Sequence, residues 1–182
     1  MRFVISKVLL VLLCVALPFG SANAETKVGE PIPHHFKLQD HNGNKVEFDG
    51  LKGEKGLVVL FVRSADWCPF CKIQMEDFSS RYKDFKKFGY EVVSVSYDSI
   101  EALARFGHQH GIAYRMLSDT GSESIKAFGL LNDKYKRGSR YYGIPHPAVY
   151  VINAEGVVTH MFSESGYKSR PPIDGILAAL ER

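Results

Sequence analysis

The stretch Leu57-Val-Val-Leu-Phe-Val62, followed by Arg63-Ser-Ala-Asp66 and Trp67-Cys68-Pro69-Phe70-Cys71, decides the reading of this chain. Six consecutive apolar residues, half of them β-branched, have the length and character of a strand buried on both faces. A loop containing Trp67 follows, and then a helical stretch from about Pro69 to Phe88. In that stretch Phe70, Ile73, Phe78, Tyr82 and Phe85 recur at near-helical spacing. Pro69 suits the first helical turn, where no backbone donor is needed. Cys68 therefore stands at the mouth of a helix. Unpaired N–H groups and the positive end of the dipole favour a thiolate there, the reactive form of the residue. Cys71, three residues on, faces the same side and lies deeper, placed to attack a mixed disulfide formed at Cys68.

The cysteine count supports chemistry over stapling. Of three cysteines, Cys14 lies in an N-terminal segment unlike the rest, which leaves only Cys68 and Cys71. A stabilising bridge closes a long loop, and one across a single helical turn closes almost nothing. An inert bridge and half of a zinc site are the other readings; the second lacks another ligand pair at suitable spacing. No metal and no organic cofactor are expected.

Residues 1–24 have the order of a secretory signal. Basic Arg2 and Lys7 precede the apolar run Val8 to Leu17, a break at Pro18 and Gly20, and Ala22-Asn23-Ala24. Cleavage after Ala24 would make 25–182 the mature domain, periplasmic or secreted, with no stable membrane insertion; an uncleaved anchor is the other reading. Taking Arg2 and Lys7 from 23 basic residues leaves 21 against 20 acidic ones, a net charge of +1 that offers no argument for nucleic acid. The length fits one domain with a real core.

Along the remainder, Glu91 to Tyr97 alternates as a second strand, Ser99 can cap a helix stopped by Gly111, and a short helix is expected over Ser122–Phe128. Ala148 to Ile152, the turn Asn153-Ala-Glu-Gly156 and Val157 to Phe162 read as an antiparallel hairpin. Pro171-Pro172 opens a last helix through Leu180. Upstream, Phe36 to Leu38 and Lys45 to Phe48 flank His41-Asn-Gly-Asn44 as another hairpin. This order implies an α/β mixed sheet with helices on both faces. Gly143-Ile144-Pro-His146-Pro147 precedes the later hairpin. A cis His146–Pro147 bond facing Cys68 would expose backbone for pairing with a substrate's extended chain, and a rigid turn is the alternative. Trp67, Phe70, Ile144, His146 and Pro147 form the candidate substrate-binding rim. Lys134 to Arg137, with Arg140, Tyr141 and Tyr142, reads as a solvated loop.

Trp67-Cys-Pro-Phe-Cys71 after a buried strand, with Pro147 before a hairpin, resembles the thioredoxin superfamily. Val28-Gly-Glu-Pro-Ile-Pro-His-His-Phe36, Leu38, Asp40, Gly43, Leu51, Gly53, the Leu57–Val62 strand, Val93 to Asp98 and Leu117-Ser-Asp119 resemble its redoxin branch, the alkyl-hydroperoxide-reductase/thiol-specific-antioxidant proteins. The resemblance implies a thioredoxin fold with an N-terminal β-hairpin extension and a redox-active Cys68–Cys71 disulfide. Two activities follow from it. One is disulfide exchange with disulfide-bearing or dithiol protein partners, as in TlpA/ResA-like reductases, fed by a thiol electron donor. The alternative is a peroxiredoxin-like thiol peroxidase with Cys68 peroxidatic and Cys71 resolving. Peroxiredoxins resembling this chain carry a proline seven residues, and threonine or serine three residues, before the peroxidatic cysteine; Phe61 and Ala65 stand there. Their arginine position holds Pro147, with Arg63 and Ser64 as possible substitutes. These missing donors favour disulfide exchange as the expectation. Thioredoxins also carry a buried aspartate where Val62 stands, so no acid is placed for the resolving step.

Overall fold

The computed structural model describes residues 24–163, 166 and 168–181; the expected signal segment lies outside the described residues, except for Ala24. Its centre is β3 (Gly56–Phe61), every residue of which is buried. It pairs in parallel with β4 (Tyr90–Ser96) and antiparallel with β6 (Ala148–Asn153). Beyond β4 lies β5 (Arg115–Ser118), parallel to it, and beyond β6 lies β7 (Val158–Ser163), antiparallel. The edge beyond β5 is the hairpin β1 (Leu38–Asp40) and β2 (Lys45–Val46). Among the described residues the order is β2-β1-β5-β4-β3-β6-β7, the mixed sheet of the thioredoxin fold. The strand β5 was not read from sequence: four residues are too few for a period to show.

Both faces of the sheet are covered. Val58, Leu60 and Val62 point into one core with Cys68, Cys71, Met75 and Phe78, while Leu57, Val59 and Phe61 point into another with Phe36, Phe128 and Tyr150. Alternation along one strand thus feeds two cores. Gly56 opens β3 at φ +146°, and a Cβ there would run into the Ile152 carbonyl oxygen, so glycine is required by the close approach of β6.

Where one helix was expected over 69–88, the chain forms α2 (Pro69–Ser80) and α3 (Tyr82–Lys87), after a single-turn α1 (Phe48–Leu51). The break is chemical. Ser80 Oγ donates to the Asp77 carbonyl at 2.7 Å, competing with the helical ladder, and Arg81 leaves helical geometry at ψ 6°. The Ser99 expectation holds: its Oγ accepts from Ala102 N at 3.3 Å, and α4 (Ile100–His110) ends at left-handed Gly111. The fifth and sixth helices are α5 (Glu123–Ala127) and α6 (Ile173–Leu180).

Candidate active site

The carboxyl end of β3 delivers the chain to the N-terminus of α2. Cys68 is the residue before the first helical turn and Pro69 is the first residue in it. Cys68 and Cys71 form a disulfide. Both are buried, at 1% and 0% exposure, within the core that includes Val62, Ala65 and Met75.

What positions Cys68 is a buried polar knot beneath the loop 63–67. Asp98, just past β4, accepts from Ser64 Oγ (2.7 Å), Ala65 N (2.7 Å) and Ser96 Oγ (2.8 Å). Ser64 Oγ in turn accepts from Asp66 N at 2.9 Å and Trp67 N at 3.2 Å. One carboxylate and one hydroxyl therefore fix three successive backbone N–H groups directly before Cys68. Burial pushes the Asp98 carboxyl up from its ordinary range, and the bonds from Ala65, Ser64 and Ser96 oppose that shift. Sequence reading missed Asp98 as part of the site. The signal was present in Ser94, Ser96 and Asp98, polar residues at every second position through an otherwise apolar strand end.

Ser64 cannot donate to a substrate while its single proton goes to Asp98. Arg63, just past β3, is a buried charge and not a surface one. It is 7% exposed, with its guanidinium carbon 4.9 Å from the Trp67 ring centre. Trp67 is half-buried: its Nε1–H donates to Tyr97 Oη at 2.9 Å and its ring meets Tyr141 edge-on at 4.9 Å. Tyr141, read as part of a solvated loop, therefore belongs to the wall around Cys68. Arg170 was also missed. From the segment before α6 its Nη2 donates to Cys71 Sγ at 3.4 Å, and its Nε donates to Gln74 Oε1 at 2.8 Å. Ninety-nine residues separate it from Cys71, and no local pattern marks it.

The structure divides the expected substrate rim. Phe70 lines a cleft of about 470 Å³ with Gln74, Arg170 and Ile173. His146 and Pro147 instead line a different depression with Asn132 and Asp133. Ile144 is fully buried and presents no contact surface. The His146–Pro147 bond is trans, and no cis bond occurs among the described residues. The backbone expected to await a substrate is already paired: His146 N donates to Leu130 O at 2.7 Å, and Asn132 N to Ile144 O at 3.0 Å. The segment 130–132 thus fills the edge that an extended peptide would need.

The sequence matches the AhpC/TSA family over residues 28–161. It is similar to peroxiredoxin Bcp of Escherichia coli K12, at 29% identity over 138 residues, 76% of this chain and 86% of that protein. It is also similar to chloroplastic peroxiredoxin Q of Sedum lineare, at 31% over 156 residues, 86% of this chain and 78% of that protein. In fold it is similar to peroxidoxin BcpB of Mycobacterium tuberculosis, with a TM-score of 0.74 at 23% identity, covering 86% and 97% of the two chains. Peroxiredoxin Q of Xanthomonas campestris gives 0.69 at 26%, covering 84% and 94%. These relatives are peroxiredoxins, and this overturns disulfide exchange with protein substrates as the activity. Phe61, Ala65 and Pro147 do not decide the chemistry, since side chains from elsewhere in the fold, Arg63 and Arg170 among them, bring charge to the cysteine pair. The periplasmic or secreted location is corrected too: a matched relative is a chloroplast protein, and the segment that suggested export lies, up to residue 23, outside the described residues. On the match over residues 28–161 and the similarity to peroxiredoxin Q, this chain is an oxidoreductase and belongs to the AhpC/TSA family.

Proposed function

We propose that this protein is a thiol peroxidase in which Cys68 is peroxidatic and Cys71 resolving, both on one chain. The observation that carries the reading is a cysteine buried at a helix N-terminus and already bonded to its partner one turn on, in a chain akin to peroxiredoxins. Reduced Cys68, as thiolate, attacks one peroxide oxygen. The O–O bond breaks, alcohol or water departs, and Cys68 becomes a sulfenic acid. Cys71 sulfur then attacks Cys68 sulfur, water leaves, and the disulfide forms. A thiol donor returns both to the reduced state. Two features support a small substrate: the near-complete burial of Cys68, and the occupied backbone edge at 144–147. With Ser64 committed to Asp98, Arg63 is the cation at hand to polarise the peroxide. It lies over Trp67, and Arg170 has its proton affinity lowered first by burial and then by the charge of Arg63. Trp67, the only tryptophan, reports the event. Mixing the reduced protein with hydrogen peroxide should change its fluorescence orders of magnitude faster than free cysteine oxidises, with the change lost in Cys68→Ser. Oxidation no faster than that of free cysteine would sink the reading.

A further inference from the structure

Arg170 has no counterpart in the scheme above, yet it touches one of the two reacting sulfurs. A disulfide sulfur is a weak acceptor, whereas a thiolate at the same place carries a full charge. The Nη2 contact at 3.4 Å therefore gains most when Cys71 is reduced and ionised. The guanidinium is aimed: Gln74, one turn along α2 and 6% exposed, accepts from Nε at 2.8 Å. Cys71 itself is fully buried, so without a cation its thiol would resist ionisation.

We propose that Arg170 is a catalytic residue for Cys71, holding its sulfur as a thiolate so that it is the nucleophile that closes the disulfide and the leaving group when a thiol donor reopens it. In the reopening, a donor thiolate attacks Cys68 Sγ and forms a mixed disulfide. The Cys68–Cys71 bond breaks and its electron pair leaves on Cys71 Sγ beside Arg170. A second donor thiol then releases Cys68 as the donor disulfide forms, so two thiols are oxidised as the protein disulfide is reduced. A better-stabilised leaving thiolate departs faster. The charge placement also sets the direction of attack, since the sulfur that leaves is the one next to Arg170. Among the described residues, the charged groups around this pair are Arg63, which repels Arg170, and Lys168, Asp77, Arg81 and Asp174, which share its cleft. Arg81 is held by Asp84 at 2.7 Å and Asp174 at 2.8 Å, so it serves as a control for charge at a distance.

The role of Cys71 as resolving residue rests on the peroxidase reading; its thiolate and the reduction of its disulfide can be measured without any peroxide. In a Cys68→Ser background, the pH profile of Cys71 alkylation by iodoacetamide should move upward by about one unit in Arg170→Met. It should be partly restored in Arg170→Lys and unmoved in Arg81→Met. With both cysteines present, opening of the disulfide by dithiothreitol should slow about tenfold in Arg170→Met. If that variant does not fold, Gln74→Met leaves the guanidinium and its bond to the Ser169 carbonyl but removes the side-chain partner of Nε, and it should move the profile the same way by less. An alkylation midpoint within about 0.3 unit of the parent in the folded Arg170→Met protein, or an equal shift in Arg81→Met, overturns the proposal. So does an unmoved midpoint in Gln74→Met where that variant is the one available. Failure of peroxide oxidation alone would overturn the peroxidase reading and leave the Arg170 result standing.

Discussion

Ser64→Ala tests whether the knot beneath the 63–67 loop holds Cys68 in place. Three hydrogen bonds go with the hydroxyl: its own to Asp98 Oδ1 at 2.7 Å, and those from Asp66 N at 2.9 Å and Trp67 N at 3.2 Å. A bond to an ionised, buried acceptor contributes about 1.5–3 kcal/mol and a neutral one about 0.5–1.5 kcal/mol. The two N–H groups are partly buried and recover some of their share from water, so the sum is about 3 kcal/mol. For a domain of this size that corresponds to a fall in Tm of about 6–12 °C. The loss should also depend on pH. Burial holds the Asp98 carboxyl above its unfolded value, so folding takes up a proton between the two values, and stability declines as pH rises across that interval. The Ser64 hydroxyl stabilises the ionised form and opposes this decline. Removing it raises the carboxyl further, and the gap between variant and parent is widest above the titration and narrows as acid protonates Asp98. Urea unfolding of both oxidised proteins at neutral pH and through the acid range measures this directly. A loss below about 1 kcal/mol at neutral pH, or one that stays constant on acidification, would refute the reasoning.

Other substitutions probe the frame around the site. Phe78→Ala removes a fully buried ring stacked on Phe85 at 5.2 Å beneath α2, and should cost about 3–5 kcal/mol by chemical denaturation. Ser99→Ala deletes the cap of α4 and should cost about 1 kcal/mol, with little change in Cys68 alkylation. Gly56→Ala forces a side chain into the β6 carbonyl at a backbone angle foreign to alanine; the expected result is loss of soluble folded protein, read by expression and circular dichroism.

The sequence alone determined an α/β mixed sheet with helices on both faces, because the evidence for each element is local and periodic, and the resemblance to the redoxin branch narrowed that to the thioredoxin fold. The apolar run Leu57–Val62, Pro69 at a first helical turn, the Ser99 and Gly111 ends of α4 and the later hairpin each depend on neighbours a few residues away. It also placed Cys68 and Cys71 one turn apart, where they are bonded. Tertiary structure decided the surroundings of those sulfurs. Asp98 reaches back 33 residues to the Ala65 amide, and Arg170 reaches 99 residues to Cys71. Tyr141 closes on Trp67 from a loop whose charges favoured a solvated reading. The peptide edge at 144–147 proved occupied because residues 130–132 bond across it. These are contacts of large sequence separation, made when sheet and helices bring distant segments together; the alternation Ser94, Ser96, Asp98 marks one partner, but no spacing says what it meets. The cysteine pair is a local word in the sequence; the charges beside it are a property of the folded chain.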